Sequence, residues 1–216
     1  MTSVQCILPV SSKVRDALIN EYPALKARRL QLAWPGVDVV ACSEVQNCSD
    51  VFLVRSIFVG KEWKRKGLRR AIDILEALRA TNPNITLDVY GVESSDVPKK
   101  MRKKTGVRFM GWTSDIPWAD YHLLIHPAEI EPFGMVVVEA RSYGVLALIS
   151  DRVGAADLAF NGMSVVSIDA PLSTWLSKFS VLLASRDRTR EVKWTWGDLV
   201  DLHRHTVYPQ LEAVIL

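Results

Sequence analysis

The chain has 216 residues, of which 49% are hydrophobic, 24% charged and 8% aromatic, and its formal net charge is +3. This composition is typical of a folded globular protein and excludes a disordered, collagen-like or coiled-coil chain. No apolar run approaches the roughly 18–20 residues that span a bilayer, and we expect no secretory signal because the first residues lack a basic start. The cysteines Cys6, Cys42 and Cys48 have no metal-site spacing, which indicates free thiols in a reducing, cytoplasmic compartment.

The first fifty residues contain short elements that do not alternate regularly. The predicted elements are a strand in 4–10, a helix over 11–22 capped by Ser11 or Ser12, a strand in 28–33 and a turn at Pro35-Gly36. This segment is typical of the end of one domain followed by a connector.

From about residue 50 onward, apolar runs of strand length alternate with amphipathic helical patterns. The predicted strands are 51–59, 85–91, 107–112, 121–127, 145–151 and 163–169. The predicted helices are 67–80, 134–143, 155–160, 171–185 and 196–214. Strands rich in Val, Ile and Leu that alternate with helices predict an α/β fold, with a Rossmann-like, doubly wound parallel sheet covered on both faces.

The positive charge is concentrated in two places. Twelve of the 27 basic residues lie in the windows 61–70 and 99–108. In the first window, Lys61 and Lys66 stand between a predicted strand and a helix that starts near Gly67. Cations oppose the dipole at a helix N-terminus, so a bound anion that faces both would explain the placement. A solvated basic loop is the alternative, and the loop lacks the glycine patterns of dinucleotide and P-loop sites.

A second candidate segment is 129–144, EIEPFGMVVVEARSYG. Pro132 suits the first position of a helix, which would place Glu131 at its cap, and Gly134 allows a ligand to approach the backbone closely. Glu139 then lies mid-helix beside an apolar run, where an unpaired carboxylate is costly. Either a structural partner or the hydroxyls of a ligand would satisfy it. The four histidines have no metal-site spacing.

These residues resemble a known family. Glu131 and Glu139, with seven residues between them in EPFGMVVVE, match the E-x7-E motif of the retaining glycosyltransferases of family 4. The stretch IFVGKEWKRKGL resembles that family's strand–loop signature. The segments VRFMGW, LLIHP, GVLALISDRVG and WTWGDLVDLHRHTVYPQL occur in the family's order. The resemblance covers about residues 4–213.

The resemblance implies the C-terminal half of the two-domain GT-B fold. The implied divisions are a remnant of the N-terminal acceptor domain plus connector over 1–49, a Rossmann-like donor-binding domain over 50–192 and a C-terminal helix over 193–216. The acceptor pocket would then be absent. We therefore expect the chain to be nearly inactive alone, whether as an isolated half, a truncated frame or one partner of a split enzyme whose acceptor domain is a separate chain.

The resemblance also implies the site. Lys61 and Lys66 would hold the donor diphosphate, Glu131 would lie near the transferred sugar, and these three are the implied catalytic residues. Glu139 would hold the ribose hydroxyls. The other implied donor-binding residues are Gly60, Gly111, Trp112, Thr113, Phe133, Gly134 and Met135. The family uses no bound metal or other cofactor, since lysines and a helix dipole neutralise the diphosphate.

Two departures from the family pattern concern single residues. Lys61 stands where an arginine is usual, so a point charge replaces a bidentate fork. Leu146 stands where a proline is common. The expected function is transfer of a hexose-like sugar from a nucleotide-diphosphate sugar to an acceptor with retention of configuration.

Within the family, the resemblance is to bacterial cell-envelope enzymes such as those that build lipopolysaccharide core. It implies a lipid-linked glycan acceptor and a peripheral position at the inner membrane face. A non-catalytic nucleotide-binding or partner module and half of a nucleotide-sugar epimerase are the alternatives. A nucleic-acid binder is disfavoured because stacking aromatics do not interleave with the basic windows.

Overall fold

A computed structural model describes residues 6–37, 53–185 and 191–207, the last five of these as backbone only. Its larger element is a six-stranded sheet in which every neighbouring pair of strands is parallel. The strands are β3 (Val54–Val59), β4 (Ile85–Tyr90), β5 (Val107–Gly111), β6 (Leu123–His126), β7 (Leu146–Ser150) and β8 (Met163–Val166). A separate two-stranded parallel sheet joins β1 (Cys6–Ile7) to β2 (Arg29–Leu30).

The order of the strands in the large sheet is β5-β4-β3-β6-β7-β8. The chain therefore starts in the middle, builds outward through β4 and β5, and then returns to the other side of β3. Loops that leave adjacent strands in opposite directions open a crevice at the carboxyl edge of the sheet, and ligands of doubly wound folds bind in this crevice. Here the crevice lies between β3 and β6.

Six α-helices accompany the strands in the described part of the chain. They are α1 (Ser12–Glu21), α2 (Leu68–Arg79), α3 (Lys99–Arg102), α4 (Met135–Ser142), α5 (Leu172–Ser185) and α6 (Trp196–Val207). One core contains the apolar faces of α2 and α5, and a second core contains α4 and the segment 153–160. The sheet is thus covered on both faces, as its largely buried central strands require. Among the described residues, no helix is both long and apolar enough to cross a membrane.

The structure confirms the predicted α/β fold, the six strands and the helix over 67–80. Its predicted apolar positions Leu68, Ile72, Leu75 and Leu78 are all buried. The three valines at 136–138 lie in a helix despite their preference for strands, because all three are buried. α3 was not predicted, since its four residues bury only Met101 and show no apolar period.

Two predictions in the second half of the chain are wrong. The helix predicted over 155–160 is a 3-10 helix over Gly154–Leu158, which ends at a left-handed Ala159. Pro132 does not begin a helix and Glu131 does not cap one, because α4 starts at Met135 after a left-handed Gly134. The backbone of Glu131 is instead held as an extended bridge beside Val153.

The predicted boundary at 49/50 lies outside the described residues, as do Cys42, Cys48 and the predicted helix beyond residue 207. The N-terminal segment nevertheless contacts the large sheet's loops. Ser11 caps α1 and donates a hydrogen bond of 2.6 Å from its Oγ to the carbonyl oxygen of Pro132. The backbone N–H and the hydroxyl of Ser12 both donate to the carboxylate of Asp157, each at 2.6 Å. The start of α1 is therefore fastened to the segment that carries Glu131.

We predict that Ser11→Ala lowers the free energy of unfolding by about 1–2 kcal/mol, because it removes both a helix cap and a buried hydrogen bond. Urea unfolding at neutral pH measures the change. Ser177→Ala is the matched control, since Ser177 is exposed on α5, and we expect a change within about 0.5 kcal/mol. Equal effects of the two substitutions would contradict the role given to Ser11.

Candidate active site

The loops that follow β3 and β6 meet in the crevice of the sheet. β3 is followed by Gly60, and the side chain of Lys66 lies directly over this glycine, since a Cβ at residue 60 would overlap Lys66 Cδ. Gly60 also has a φ of +151°, which disfavours other residues. Gly67 makes a similar close approach to the carbonyl of Pro127. Gly60 thus lets the loop after β3 fold back on itself, and Gly67 brings this loop into contact with the loop after β6.

An ion pair joins the two loops at their centre. Lys66 Nζ lies 3.0 Å from Glu131 Oε2, and the side chains are only 19% and 11% exposed. The sequence places these residues 65 positions apart. The structure therefore brings together two of the three predicted catalytic residues.

Lys61, the third, does not join this pair. It is exposed and makes no ion pair with any residue that the structure describes. Its carbonyl oxygen accepts a hydrogen bond of 2.9 Å from Trp63, which closes a turn in the loop.

Arg65, which sequence analysis treated only as part of a basic window, fastens the loops from outside. Its Nε donates to Glu62 at 2.7 Å and its Nη1 donates to the carbonyl oxygen of Ile130 at 2.5 Å. The Arg65 carbonyl accepts a hydrogen bond from the backbone N–H of Glu129. Arg65 also approaches Glu131 to 3.7 Å. The sequence could have indicated this role, because Arg65 is next to Lys66 in the short loop between Gly60 and Gly67.

The charge state of Glu131 follows from its neighbours. Burial raises the pKa of this carboxyl, but the contacts from His126 and Lys66 outweigh burial and lower the pKa to about 2. His126 is the last residue of β6, and its Nε2 lies 3.7 Å from Glu131 Oε2. Glu131 is consequently ionised at neutral pH and available to a positive or hydroxyl-bearing ligand.

The start of α4 forms the floor on the β6 side. Gly134 has a φ of +97°, and a Cβ there would meet Val153 Cγ1 at 2.9 Å, so the position requires glycine. Phe133 is buried, and its carbonyl accepts a hydrogen bond of 2.7 Å from the N–H of Ala155. Met135 is the half-buried first residue of the helix. These contacts fix the backbone just before α4, where the first N–H groups of the helix have no partner within the helix.

Glu139 lies one turn further along α4. Burial raises the pKa of its carboxyl, and the positive charge of Lys66 acts in the opposite direction. Within the described residues its carboxylate has no hydrogen-bond or ion-pair partner, although Ser142 donates to its backbone carbonyl. Burying an unpaired carboxylate costs stability. Of the two explanations that the sequence offered, a structural partner or the hydroxyls of a ligand, this observation favours the ligand.

The remaining predicted residues lie at the end of β5. The carbonyl of Gly111 accepts a hydrogen bond of 2.7 Å from the N–H of Gly91, which itself lies against Gly60. Trp112 is 67% exposed, and the hydroxyl of Thr113 closes a turn with Asp115. Three glycines at successive strand ends thus line the edge of the sheet. Gly91 was missed, although its position after an apolar strand was a signal.

Two further observations concern ligands. Among the residues that the structure describes, no group of three His, Cys, Asp or Glu side chains is placed to hold a metal ion. A groove of about 750 Å³ runs beside the basic loop, between Trp63, Arg70 and Glu129. Its other lining residues lie mainly on α2, from Arg69 to Ala77.

Comparison with known proteins agrees with this geometry. Residues 54–174, more than half of the chain, match the family model described as glycosyl transferases group 1. The chain belongs to this family. The match begins with β3 and ends in α5, so it contains both loops of the crevice.

Individual relatives cover only part of their own length. A glycogen synthase of Mycobacterium tuberculosis is 30% identical over 123 residues, which are 51% of this chain and 29% of the synthase. An uncharacterised 41.2 kDa protein of the cps region of Klebsiella pneumoniae is 26% identical over 115 residues, or 51% of this chain and 31% of that protein. The chain matches about a third of the length of these relatives.

Solved structures match more of the chain. The lipopolysaccharide outer core galactosyltransferase WaaB has a TM-score of 0.74 at 17% identity, over 95% of this chain and 62% of its own. WaaG, a glycosyltransferase involved in lipopolysaccharide biosynthesis, has a TM-score of 0.67 at 20% identity, over 94% and 59%. Anabaena HepE, solved with UDP and glucose, has a TM-score of 0.66 at 17% identity, over 98% and 63%. These likenesses show the fold of GT-B glycosyltransferases.

We predict that Glu131→Gln destabilises this transferase chain in a pH-dependent way. The folded pKa of about 2 lies below the ordinary 4.5, so the carboxylate stabilises the fold above about pH 4.5. This contribution, on the order of 3 kcal/mol, is lost as the pH falls toward 2. Urea unfolding at several pH values measures it.

Glu62→Gln is the matched control for this prediction, since Glu62 pairs with Arg65 from an exposed position and such pairs contribute little. A Glu131→Gln effect that is the same at about pH 2.5 and pH 7, or equal to that of Glu62→Gln at pH 7, would contradict the assignment.

Proposed function

We propose that this chain binds the nucleotide-sugar donor of a retaining, family 4 glycosyltransferase and supplies the donor half of its active site. The observation that carries the proposal is the Lys66–Glu131 ion pair in the crevice between β3 and β6. The cation, Lys66, would bind the diphosphate of the donor, and the carboxylate, Glu131, would lie beside its sugar.

The diphosphate is assigned to the basic loop. Lys66 has a flexible side chain that ends beside the start of α2, and Lys61 is exposed at the opposite end of the same loop. The N-terminus of α2 adds a partial positive charge. A nucleoside diphosphate placed there would draw Lys66 away from Glu131, because it carries more negative charge than one carboxylate.

The reaction breaks the bond between the anomeric carbon and a phosphate oxygen, and the nucleoside diphosphate leaves with the electron pair. Lys61 and Lys66 stabilise this leaving group, which is the main catalytic contribution that we assign to this chain. The acceptor oxygen forms the new bond on the same face of the sugar, and its proton passes to the departing phosphate oxygen. We place Glu131 beside the transferred sugar, where its negative charge faces the positive charge that develops at the anomeric carbon.

Glu139 is assigned to the ribose. Two hydroxyls donating to its carboxylate would provide the partners that this half-buried group lacks, and would favour its charged form. Gly111, Trp112 and Thr113 would flank the base. UDP is the first probe to use, since the structures of HepE and of a pneumococcal O-GlcNAc transferase contain UDP.

The rest of the proposal concerns what lies outside the crevice. We infer that no metal is needed, because two lysines and a helix N-terminus supply the positive charge. An acceptor domain, on the same or on a separate polypeptide, would complete the GT-B active site. The likeness to WaaB and WaaG favours a lipopolysaccharide-type glycan acceptor at the inner face of the membrane, with the chain on the cytoplasmic side.

We predict that Lys61→Ala combined with Lys66→Ala weakens UDP binding by about a hundredfold, since each charge-assisted contact contributes about 1.5–3 kcal/mol. The double variant should also be less stable, because Glu131 loses its ion-pair partner, so binding is measured where the variant is still folded. Calorimetric titration measures the affinity. Lys99→Ala combined with Lys100→Ala is the matched control, because it removes the same charge from an exposed part of the second window. Equal losses in the two double variants would indicate general electrostatic attraction and would refute the diphosphate site.

We predict that Glu139→Gln changes stability and binding in opposite directions. Because burial raises the pKa of Glu139 in the fold, the ionised carboxylate costs stability at pH 7. The variant should therefore be more stable at pH 7, and the gain should vanish as the pH falls below about 4.5. Its affinity for UDP should fall about tenfold. Its affinity for a UDP analogue without ribose hydroxyls should stay that of the wild type, and an equal loss for both ligands would contradict the ribose contact.

A further inference from the structure

His126 is a polar side chain without an evident structural purpose. It is the last residue of β6 and is entirely buried. Neither of its ring nitrogens forms a hydrogen bond within the described part of the chain. Burying a polar ring without partners is costly, and an apolar residue would fill the same space beside Phe58. The position of the ring therefore calls for a use in the site.

Among the described residues, Glu131 is the only acidic side chain whose carboxylate is recorded near this ring. His126 Nε2 lies 3.7 Å from Glu131 Oε2, the same oxygen that Lys66 Nζ reaches at 3.0 Å. The first distance is longer than a hydrogen bond, whereas the second is that of a close ion pair. Lys66 thus holds the carboxylate when no donor is bound, with His126 behind it.

The proton on His126 can be assigned from its surroundings. Burial lowers the pKa of this imidazole, and the charges of Lys66 and Arg65 lower it further against the effect of Glu131. The ring is therefore neutral near pH 7 and carries one N–H. A carboxylate only accepts hydrogen bonds, so the nitrogen that faces it, Nε2, is the one that carries the proton.

We propose that His126 is a positioning residue, which holds the Glu131 carboxylate through Nε2–H when Lys66 turns toward the donor diphosphate. This inference rests on the proposed donor-binding function. Lys66 has a long, flexible side chain and lies in a loop, whereas His126 has a short side chain and lies on a central strand of the sheet. Once Lys66 leaves, Nε2 and Oε2 close to about 2.9 Å. Glu131 then stays ionised and oriented beside the sugar.

Arg65 cannot replace His126 in this role. It approaches Glu131 to 3.7 Å through Nη1, but Nη1 already donates to the carbonyl oxygen of Ile130, and Nε and Nη2 both donate to Glu62. Turning it toward Glu131 would release the contact that fastens the two loops. A neutral histidine can hold the carboxylate without such a loss and without adding a charge that would compete with Lys66 for the diphosphate.

Nuclear magnetic resonance of the imidazole nitrogens tests the assignment in the chain as it is. We expect His126 to be the Nε2–H tautomer at about pH 7, and its Nε2 resonance to shift in Glu131→Gln and again when UDP is added. The Nδ1–H tautomer, or an Nε2 resonance that does not respond to Glu131→Gln, would overturn the proposal.

Three substitutions separate positioning from packing. Gln places an N–H near the position of Nε2, Asn places one near Nδ1, and Leu places none. We expect the affinity for UDP to fall about tenfold in His126→Leu and His126→Asn, and to stay within about threefold of the wild type in His126→Gln. Equal losses in the Gln and Asn variants would overturn the proposal in favour of packing.

The two levels of the account fail separately. Should His126→Leu not fold, the comparison of Gln with Asn still decides. If the wild-type chain does not bind UDP, the proposed function fails for uridine nucleotides. The tautomer and its response to Glu131→Gln in the free chain then support or overturn the positioning role by themselves.

Discussion

The site depends on one ion pair between two distant parts of the chain, Lys66 and Glu131. Each side chain is mostly buried, so neither charge could be accommodated without the other or a ligand. The pair holds the loop after β3 against the loop after β6, with Arg65 as an outer fastening. Lys66 can also exchange this partner for another, because a bound diphosphate is more negative than the Glu131 carboxylate. The same contact therefore stabilises the free chain and prepares it for a donor.

The fold creates this contact through strand order and glycine. Strands are added to one side of β3 and then, from β6 onward, to the other side. The loops that follow these two parallel strands therefore lie side by side at the carboxyl edge of the sheet. A side chain at Gly60 would collide with Lys66, and a side chain at Gly67 would collide with Pro127, so both close approaches require glycine. On the other side, Ser11 binds the carbonyl of Pro132, so the N-terminal segment helps to fix the loop that carries Glu131. The site is consequently an outcome of packing in three separate segments.

Much of the fold follows from the sequence because the buried strands and α2 have clear apolar periods. The positions of Lys66, Glu131 and Glu139 could be predicted from a family resemblance in their spacing. The extended backbone at Glu131 could not, because it depends on pairing with Val153 across the chain. His126 was missed for a related reason: its significance lies in the absence of partners around a buried ring. Such tertiary contacts leave no local pattern in the sequence.

A crystal structure of the chain with UDP tests the central claim most directly. The account predicts that the diphosphate lies in the crevice between β3 and β6, with Lys66 Nζ at about 2.8 Å from a phosphate oxygen. The Lys66–Glu131 distance should then exceed its present 3.0 Å, with the Glu131 carboxylate still in place. UDP bound elsewhere, or bound in the crevice with the ion pair intact and Lys66 not contacting phosphate, would contradict the account.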